Sequence, residues 1–198
     1  KVNPRYGTVI TDGLFMTSRD GRTFNRWAEA FLRPGPRDKD SWVYGDNFIF
    51  WGMVETKSTI EDAPNEISMY ATEGYWQGKG SALRRYTLRL DGFVSVNAGA
   101  GKGGELITKP IKFSGNQLSL NLATSASGSV RVEIQNLSGK PITGFSQKDC
   151  PEIFGDTHNR AVNWKPGVDL GRLAGKPVRL RFVLKDADLY SFRFTKPD

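Results

Sequence analysis

Apolar and polar residues alternate over several short stretches of this chain, and helical spacing is scarce. The clearest cases are the segments RRYTLRL, LSLNLAT, SVRVEIQ, VRLRFVL and LYSFRF. A period of two with one apolar face predicts strands of antiparallel sheets that bury one side. The fold class we predict is therefore all-β. The apolar faces of these strands are formed by Tyr86, Leu88 and Leu90; Leu118, Leu120 and Leu122; Val130, Val132 and Ile134; Val178, Leu180, Phe182 and Leu184; and Tyr190, Phe192 and Phe194.

The chain divides near Asp91 into two parts of different character. Before it, aromatic-rich segments such as WVYGDNFIFWGMVET alternate with polar loops of varied length. After it, compact strands follow one another at regular spacing with Gly-containing turns, which favours a jelly-roll-like β-sandwich over residues 92–198. The segment RWAEAFL could form one short helical turn, which the prolines of RPGPRD would end.

Cysteine usage and hydropathy exclude several classes of protein. The single cysteine, Cys150, cannot form an internal disulfide, and with the single His158 it cannot complete a four-ligand zinc site. Cys–His nucleophilic chemistry is formally open, but Cys150 precedes a proline in a predicted loop, which favours a structural thiol. No apolar run approaches the roughly 18 residues of a membrane span. The start, KVNPRYG, lacks a signal peptide and an initiating Met, as in a mature or shortened chain.

The chain is basic, with a formal net charge of +7 and a pI near 9.6. The basic residues are scattered along the polar faces of the predicted strands and form no arm or stripe of like charge. This pattern indicates a solvated basic surface and favours no specific nucleic-acid partner. An acidic polysaccharide remains a possible partner for such a surface.

The stretch SRDGRTF, residues 18–24, combines the residues of a tight hairpin turn. Asp20 can accept backbone N–H groups across the turn, Gly21 can adopt a positive φ, and Ser18 or Thr23 can add a hydroxyl bond. The stretch resembles the Asp-box of sialidase-type propellers, Ser-x-Asp-x-Gly-x-Thr-Trp, with one residue deleted and Phe24 in place of the Trp.

A longer resemblance covers nearly the whole chain. The segments DGLFMTSRDGRTFNRW, AFLRPGP, GMVET, EISMYATEGYW and LRRYTLRLDGFVSV are similar to the last part of bacterial glycoside-hydrolase-like proteins of the five-bladed propeller clan of invertases and fructanases. LDGFVSVNAG to DADLYSFRF resembles the β-sandwich that follows the propeller in that clan. The resemblance implies that residues 1–91 are a propeller-blade-like antiparallel segment, an incomplete propeller, and that residues 92–198 are the appended sandwich.

Enzymes of that clan use carboxylates from early blades, and the motifs that carry those acids have no match here. The resemblance therefore implies a supporting role at a sugar site without bond cleavage by this chain alone. It also implies a secreted or periplasmic location, and contact with a parent propeller or self-association through open sheet edges.

Two carboxylates and five aromatic residues are the candidate site residues. Glu55 and Asp46 flank the aromatic strand NFIFWGMVET, where a buried carboxylate could serve as a proton donor. Sugars offer flat apolar faces, so exposed aromatic rings are the usual platforms of carbohydrate modules. The candidates for such a platform are Trp42, Tyr44, Trp51, Tyr75 and Trp76, and the loop position of Trp164 favours exposure slightly more than that of the other tryptophans.

These features support three hypotheses about function. The leading one is the C-terminal, carbohydrate-directed segment of a glycoside-hydrolase-like protein that binds an oligo- or polysaccharide. The alternatives are a stand-alone carbohydrate-binding or interaction module and a small complete hydrolase that uses Glu55 and Asp46. No cofactor is expected except a structural calcium ion near the ends of the sandwich. Its candidate ligands are Asp91, Glu105, Asp186 and Asp188.

Overall fold

The fold is all-β, as predicted. A computed structural model of the chain describes residues 9–37, 42–75 and 81–196. It divides into two compact units, Lys1–Arg89 and Leu90–Asp198. Among the described residues, the helical segments are the short 3₁₀ turns Gln147–Asp149 and Leu170–Leu173. No helix in this part of the chain has the length and apolar character needed to cross a membrane.

The described part of the first unit contains two antiparallel sheets. Strands β1 (Gly13–Ser18) and β2 (Phe24–Leu32) form a hairpin, and β3 (Val54–Thr56), β4 (Glu66–Glu73) and β5 (Ala82–Arg89) form a three-stranded sheet in that order. The helical expectation for RWAEAFL is wrong, because these residues lie in β2. Pairing with β1 satisfies their backbone groups in a ladder, which outweighs the helix propensity of the two alanines.

The edge of the three-stranded sheet continues beyond β3. The Asn47 N–H donates to Thr72 O at 2.9 Å, and the Phe50 N–H donates to Tyr70 O at 2.8 Å. Residues 47–50 therefore pair with β4 on the same side as β3. Gly52 has a φ of +97°, a conformation that favours glycine, and it separates the two paired stretches.

The first unit has a small interior. Its buried hydrophobic residues in the described part are Val43, Met69 and Ala71. A cavity of about 120 Å³ lies between Phe31 and Leu32 on one side and residues of β4 and β5 on the other. Many large apolar side chains of this unit are exposed, so its sheets bury only part of their apolar faces.

The second unit is built on two very long strands. β8 (Gln117–Gln135) and β10 (Arg179–Thr195) pair antiparallel along their whole length. β6 (Val96–Ala98) and β7 (Gly104–Ile107) pair with opposite halves of β10, and β9 (Asp156–Ala161) pairs with the first half of β8. One sheet with the order β6-β10-β8-β9 results, with β7 on the other half of β10.

Both long strands bend sharply near their middle. Lys185 pairs with Ser129, whereas Ala187 pairs with Thr124. Asp186 alone therefore lies opposite four residues of β8, 125–128, which form a bulge. Such an excess of residues on one strand bends it and increases its twist. The ring centroids of Phe182 and Phe192 lie 5.3 Å apart although both belong to β10. In a straight strand ten residues would separate them by about 33 Å, so the sheet curls until its two halves face each other.

The core lies between the two halves of this curled sheet. Both halves contribute fully buried residues from alternate positions, as the apolar pattern predicted. These are Leu118, Leu120, Leu122, Val130, Val132 and Ile134 of β8 and Leu180, Phe182 and Leu184 of β10. The two layers expected of a sandwich are therefore halves of one continuous sheet.

Two side chains of the second unit lie elsewhere than predicted. Leu189, rather than Tyr190, joins Phe192 and Phe194 against the core, because a register shift between Leu189 and Ser191 reverses the side-chain alternation. Trp164 is not an exposed loop residue. Its ring packs edge-on against Phe145 with centroids 5.1 Å apart, and its indole N–H donates to Val132 O at 3.0 Å.

Candidate functional site

The hairpin turn at residues 18–24 has the predicted chemistry. Asp20 Oδ1 accepts the N–H groups of Thr23 at 2.7 Å and Arg22 at 2.9 Å and the Ser18 hydroxyl at 2.9 Å. Gly21 has a φ of +70°. These bonds, led by that from Thr23, hold the pKa of Asp20 well below its usual range. The turn joins β1 to β2, and its polar groups form hydrogen bonds with one another within residues 18–23.

A row of aromatic side chains is exposed on the outer face of the three-stranded sheet. Phe48 and Phe50 lie two residues apart on the paired edge segment, so they share a face, and they are 51% and 54% exposed. Tyr70 of β4, whose carbonyl accepts the Phe50 N–H, is 38% exposed. Tyr44 contacts Phe48 edge-on, and Trp51 follows Phe50 and is fully exposed. We call these five exposed residues, of which Phe48, Phe50 and Tyr70 share one side of the sheet, the aromatic face.

A polar cluster lies beside the aromatic face on the same sheet. Arg85 pairs with Tyr70 across β4 and β5 and therefore shares its face. Its guanidinium donates to Glu66 Oε1 at 2.7 Å, Ser68 Oγ at 2.7 Å and Thr56 Oγ1 at 3.0 Å. A partly buried network, in which Ser68 is fully buried and Arg85 is partly exposed, therefore borders the exposed rings.

Buried polar bonds fix the loop that carries the aromatic face. Asp46 is 5% exposed and accepts the Tyr75 N–H at 2.9 Å, and the equally buried Asn47 donates to Thr11 O at 3.0 Å. Gly45 has a φ of +94°, and a Cβ there would lie 2.4 Å from the Tyr75 ring. The loop thus requires a glycine at this position, and the aromatic face is held on a defined backbone.

The structure separates the aromatic residues that the sequence grouped. Tyr44 and Trp51 belong to the aromatic face. Trp42 is half-buried and donates its indole N–H to Gly35 O at 2.9 Å, and Tyr75 packs its ring over Gly45. Trp76 lies outside the described residues.

The structure does not bring Glu55 and Asp46 together. Glu55 pairs with Ile67 of β4 and accepts the Asn65 amide at 2.8 Å, whereas Asp46 adjoins Asn47, which bonds Thr72. Thr72 and Ile67 are five residues apart on β4, so at the usual rise of a strand their Cα atoms are about 17 Å apart. Two-carboxylate glycosidases place their acids about 5–9.5 Å apart. This geometry does not provide such a pair.

The candidate calcium ligands of the second unit each have a nearby partner or a backbone role. Asp91 accepts the Ser191 hydroxyl, Glu105 pairs with Arg181, and Asp188 accepts from Ser95 and Asn97. Asp186 sits at the bend of β10 with a φ of +43°. Within the described residues, no group of three or more metal-ligating side chains converges.

Cys150 has a structural environment. It is 1% exposed, and its Sγ accepts the Val132 N–H at 3.3 Å. Burial raises the pKa of this thiol, which disfavours the thiolate that nucleophilic chemistry needs.

Phe48, Phe50 and Tyr70 are the residues of the aromatic face that our reading of the sequence missed. The signal for two of them is the alternation in NFIF, which places both phenylalanines opposite Ile49. Tyr70 joins them only through pairing with β4, which local sequence does not specify.

No protein-family model matches this chain, and neither a curated protein nor a solved structure shows significant similarity to it.

Proposed function

We propose that this chain is the carbohydrate-directed C-terminal segment of a glycoside-hydrolase-like protein and that its aromatic face binds a neutral glycan. The observation that carries the proposal is the exposed row of Phe48, Phe50 and Tyr70 beside Tyr44 and Trp51. Aromatic rings stack on the apolar faces of sugar rings, and a partly exposed polar neighbour such as Arg85 can donate to the hydroxyl groups. In this role the chain supports or extends a sugar site and does not cleave the bond.

The test is native affinity electrophoresis through gels that contain a neutral polysaccharide, at low and high salt. We expect retardation that survives high salt and an affinity that falls at least roughly tenfold in the double variant Phe50→Ala/Trp51→Ala, because each lost aromatic contact contributes about 0.5–1.5 kcal/mol and about 1.4 kcal/mol is a factor of ten. Phe24→Ala/Trp27→Ala is the matched control, because Phe24 and Trp27 are 55% and 45% exposed on the other sheet of the same unit. Equal losses in both variants, or free migration of the unmodified chain through a panel of neutral glycans, would refute the aromatic face as a sugar platform.

A second candidate function is an interaction surface for a further β-sheet, such as an adjoining propeller blade. It is favoured by the contrast between three buried hydrophobic residues and many exposed ones in the described part of the first unit. For this second candidate function we expect the chain to self-associate in a concentration-dependent way, as measured by analytical ultracentrifugation. The variant Phe50→Ala/Trp51→Ala should associate less. A monomeric chain that binds a neutral glycan would favour the first candidate.

A further inference from the structure

A cleft of about 410 Å³ opens at one edge of the curled sheet in the second unit. It lies between β9 and the segment 151–153, and its polar lining comes from Glu152, Asn159, Arg160 and Asn163. Its volume is within the range of about 300–1,000 Å³ that small-molecule sites occupy.

The curled sheet explains why this edge is open. Arg160 of β9 pairs directly with Leu120, which is fully buried, so the two side chains lie on the same, concave face. Ile153 bridges Val130 in the other half of the sheet. The cleft is therefore the mouth between the two halves, and Arg160 projects at its rim from an edge strand, exposed to solvent.

The polar groups of the cleft have unused bonding capacity. Within the described residues, the side chains of Asn159, Arg160 and Asn163 take part in no hydrogen bond or ion pair. Two other arginines of this unit are engaged, Arg181 with Glu105 at 2.7 Å and Arg131 with Glu152 at 3.3 Å, whereas Arg160, and Arg193 on the convex face, have no such partner among the described residues. Arg160 at the rim and two asparagines of the lining thus border a ligand-sized space with side chains that have no internal partner in the described part of the chain.

The chemistry of these groups selects a class of ligand. A planar guanidinium matches a carboxylate with two parallel hydrogen bonds, and carboxamides both donate to and accept from sugar hydroxyls. The one acidic group of the lining, Glu152, is offset by Arg131. The net charge of +7 would raise the local concentration of a polyanion. We propose that this cleft binds a carboxylate-bearing residue of an acidic oligosaccharide, a proposal that rests on the carbohydrate-directed function above and names a second ligand class for it.

The experiment uses the full chain and polygalacturonate as the probe, in affinity electrophoresis at physiological salt, where the Debye length is about 8 Å. Arg160→Ala is compared with Arg193→Ala, which removes the same charge. Arg193 pairs with Ser119, on the convex face of the same half of the sheet, and is also exposed. We expect Arg160→Ala to weaken binding at least tenfold, Asn163→Ala to weaken it less, and Arg193→Ala to leave it unchanged. Unchanged thermal unfolding of each variant verifies that the fold is intact.

Three results would overturn the proposal. Free migration of the unmodified chain in polygalacturonate excludes the site. Equal weakening by Arg160→Ala and Arg193→Ala assigns the binding to diffuse surface charge. If Phe50→Ala/Trp51→Ala loses binding to polygalacturonate and Arg160→Ala retains it, the acidic glycan binds to the first unit. The proposed function would then hold, and the cleft would not be a binding site. If only the neutral-glycan test fails, the aromatic face is refuted as a sugar platform, whereas the proposal for the cleft is not affected.

Discussion

Asp20 shows how one carboxylate organises a turn. Its Oδ1 accepts two backbone N–H groups and one hydroxyl within six residues of chain. Because these bonds favour the charged form, the pKa of Asp20 in the folded hairpin lies below its ordinary value of 3.8. The stabilisation is therefore present above about pH 4 and is lost as the pH falls through the folded-state pKa.

We expect the backbone amide resonances of Arg22 and Thr23 to titrate in NMR spectra at a pH well below 3.8. In Asp20→Ala both amides should stop titrating and should exchange faster with solvent, since their acceptor is removed. A midpoint near 3.8 in the unmodified chain would show that the carboxylate is not held by these bonds.

Cys150 is the residue whose environment contradicts a reactive role most directly. Burial raises the pKa of its thiol above the ordinary value of 9.0. The unfolded chain then loses this proton first as the pH rises, so this group lowers the stability of the fold above about pH 9.

We expect Cys150 to resist alkylation by iodoacetamide in the native chain at pH 8 and to react fully in denaturant. Mass spectrometry measures both states, and Cys150→Ser serves as the blank. Rapid native labelling would contradict the buried position that Cys150 has in the second unit.

At the scale of elements, the bend of β8 and β10 decides the form of the second unit. Gly128 is the last residue of the bulge at 125–128 of β8. A Cβ there would lie 2.2 Å from Asp186 O and 2.9 Å from Lys185 O. A glycine at this point allows the two backbones to approach closely, which lets the strands fold back over a shared core.

We expect Gly128→Ala to destabilise the second unit by roughly 1–3 kcal/mol in urea unfolding, because the methyl group must displace backbone atoms. Gly101→Ala is the control, since a Cβ there meets nothing within 4 Å and the position has no positive φ. If the two variants lose equal stability, close approach at the bend is not the reason for the glycine.

At the scale of the whole molecule, the two units differ in how much apolar surface they bury. The second unit has a continuous core of buried residues from β6, β8 and β10 and from the loops between them. The first unit, in its described part, buries few hydrophobic residues and exposes many. Because burial of apolar surface is the main stabilising term, the second unit should be the more stable.

We expect residues 90–198 expressed alone to fold, with dispersed NMR resonances and cooperative urea unfolding. Residues 1–89 expressed alone should associate through open sheet edges and exposed side chains, which sedimentation would detect. A disordered 90–198 fragment would contradict the independence of its core.

The sequence alone determined the all-β class, the apolar faces of the main strands and the chemistry of the turn at Asp20. Each of these depends on local facts: a period of two, a glycine at a positive φ, and a side chain bonded to residues two or three positions away. They are found in the structure because a period of two lets each strand bury one face, and because the bonds of the turn join residues that are close in sequence.

Only the tertiary structure decided where the strands bend and which residues meet. LSLNLAT and SVRVEIQ read as separate strands, yet they form one bent strand, and the shift near Tyr190 changes which side chain faces the core. Local sequence does not record strand pairing, so it grouped Trp42 and Tyr75 with Trp51 and omitted Tyr70. The aromatic face and the Arg160 cleft both arise from pairing between distant segments, and for that physical reason only the folded chain reveals them.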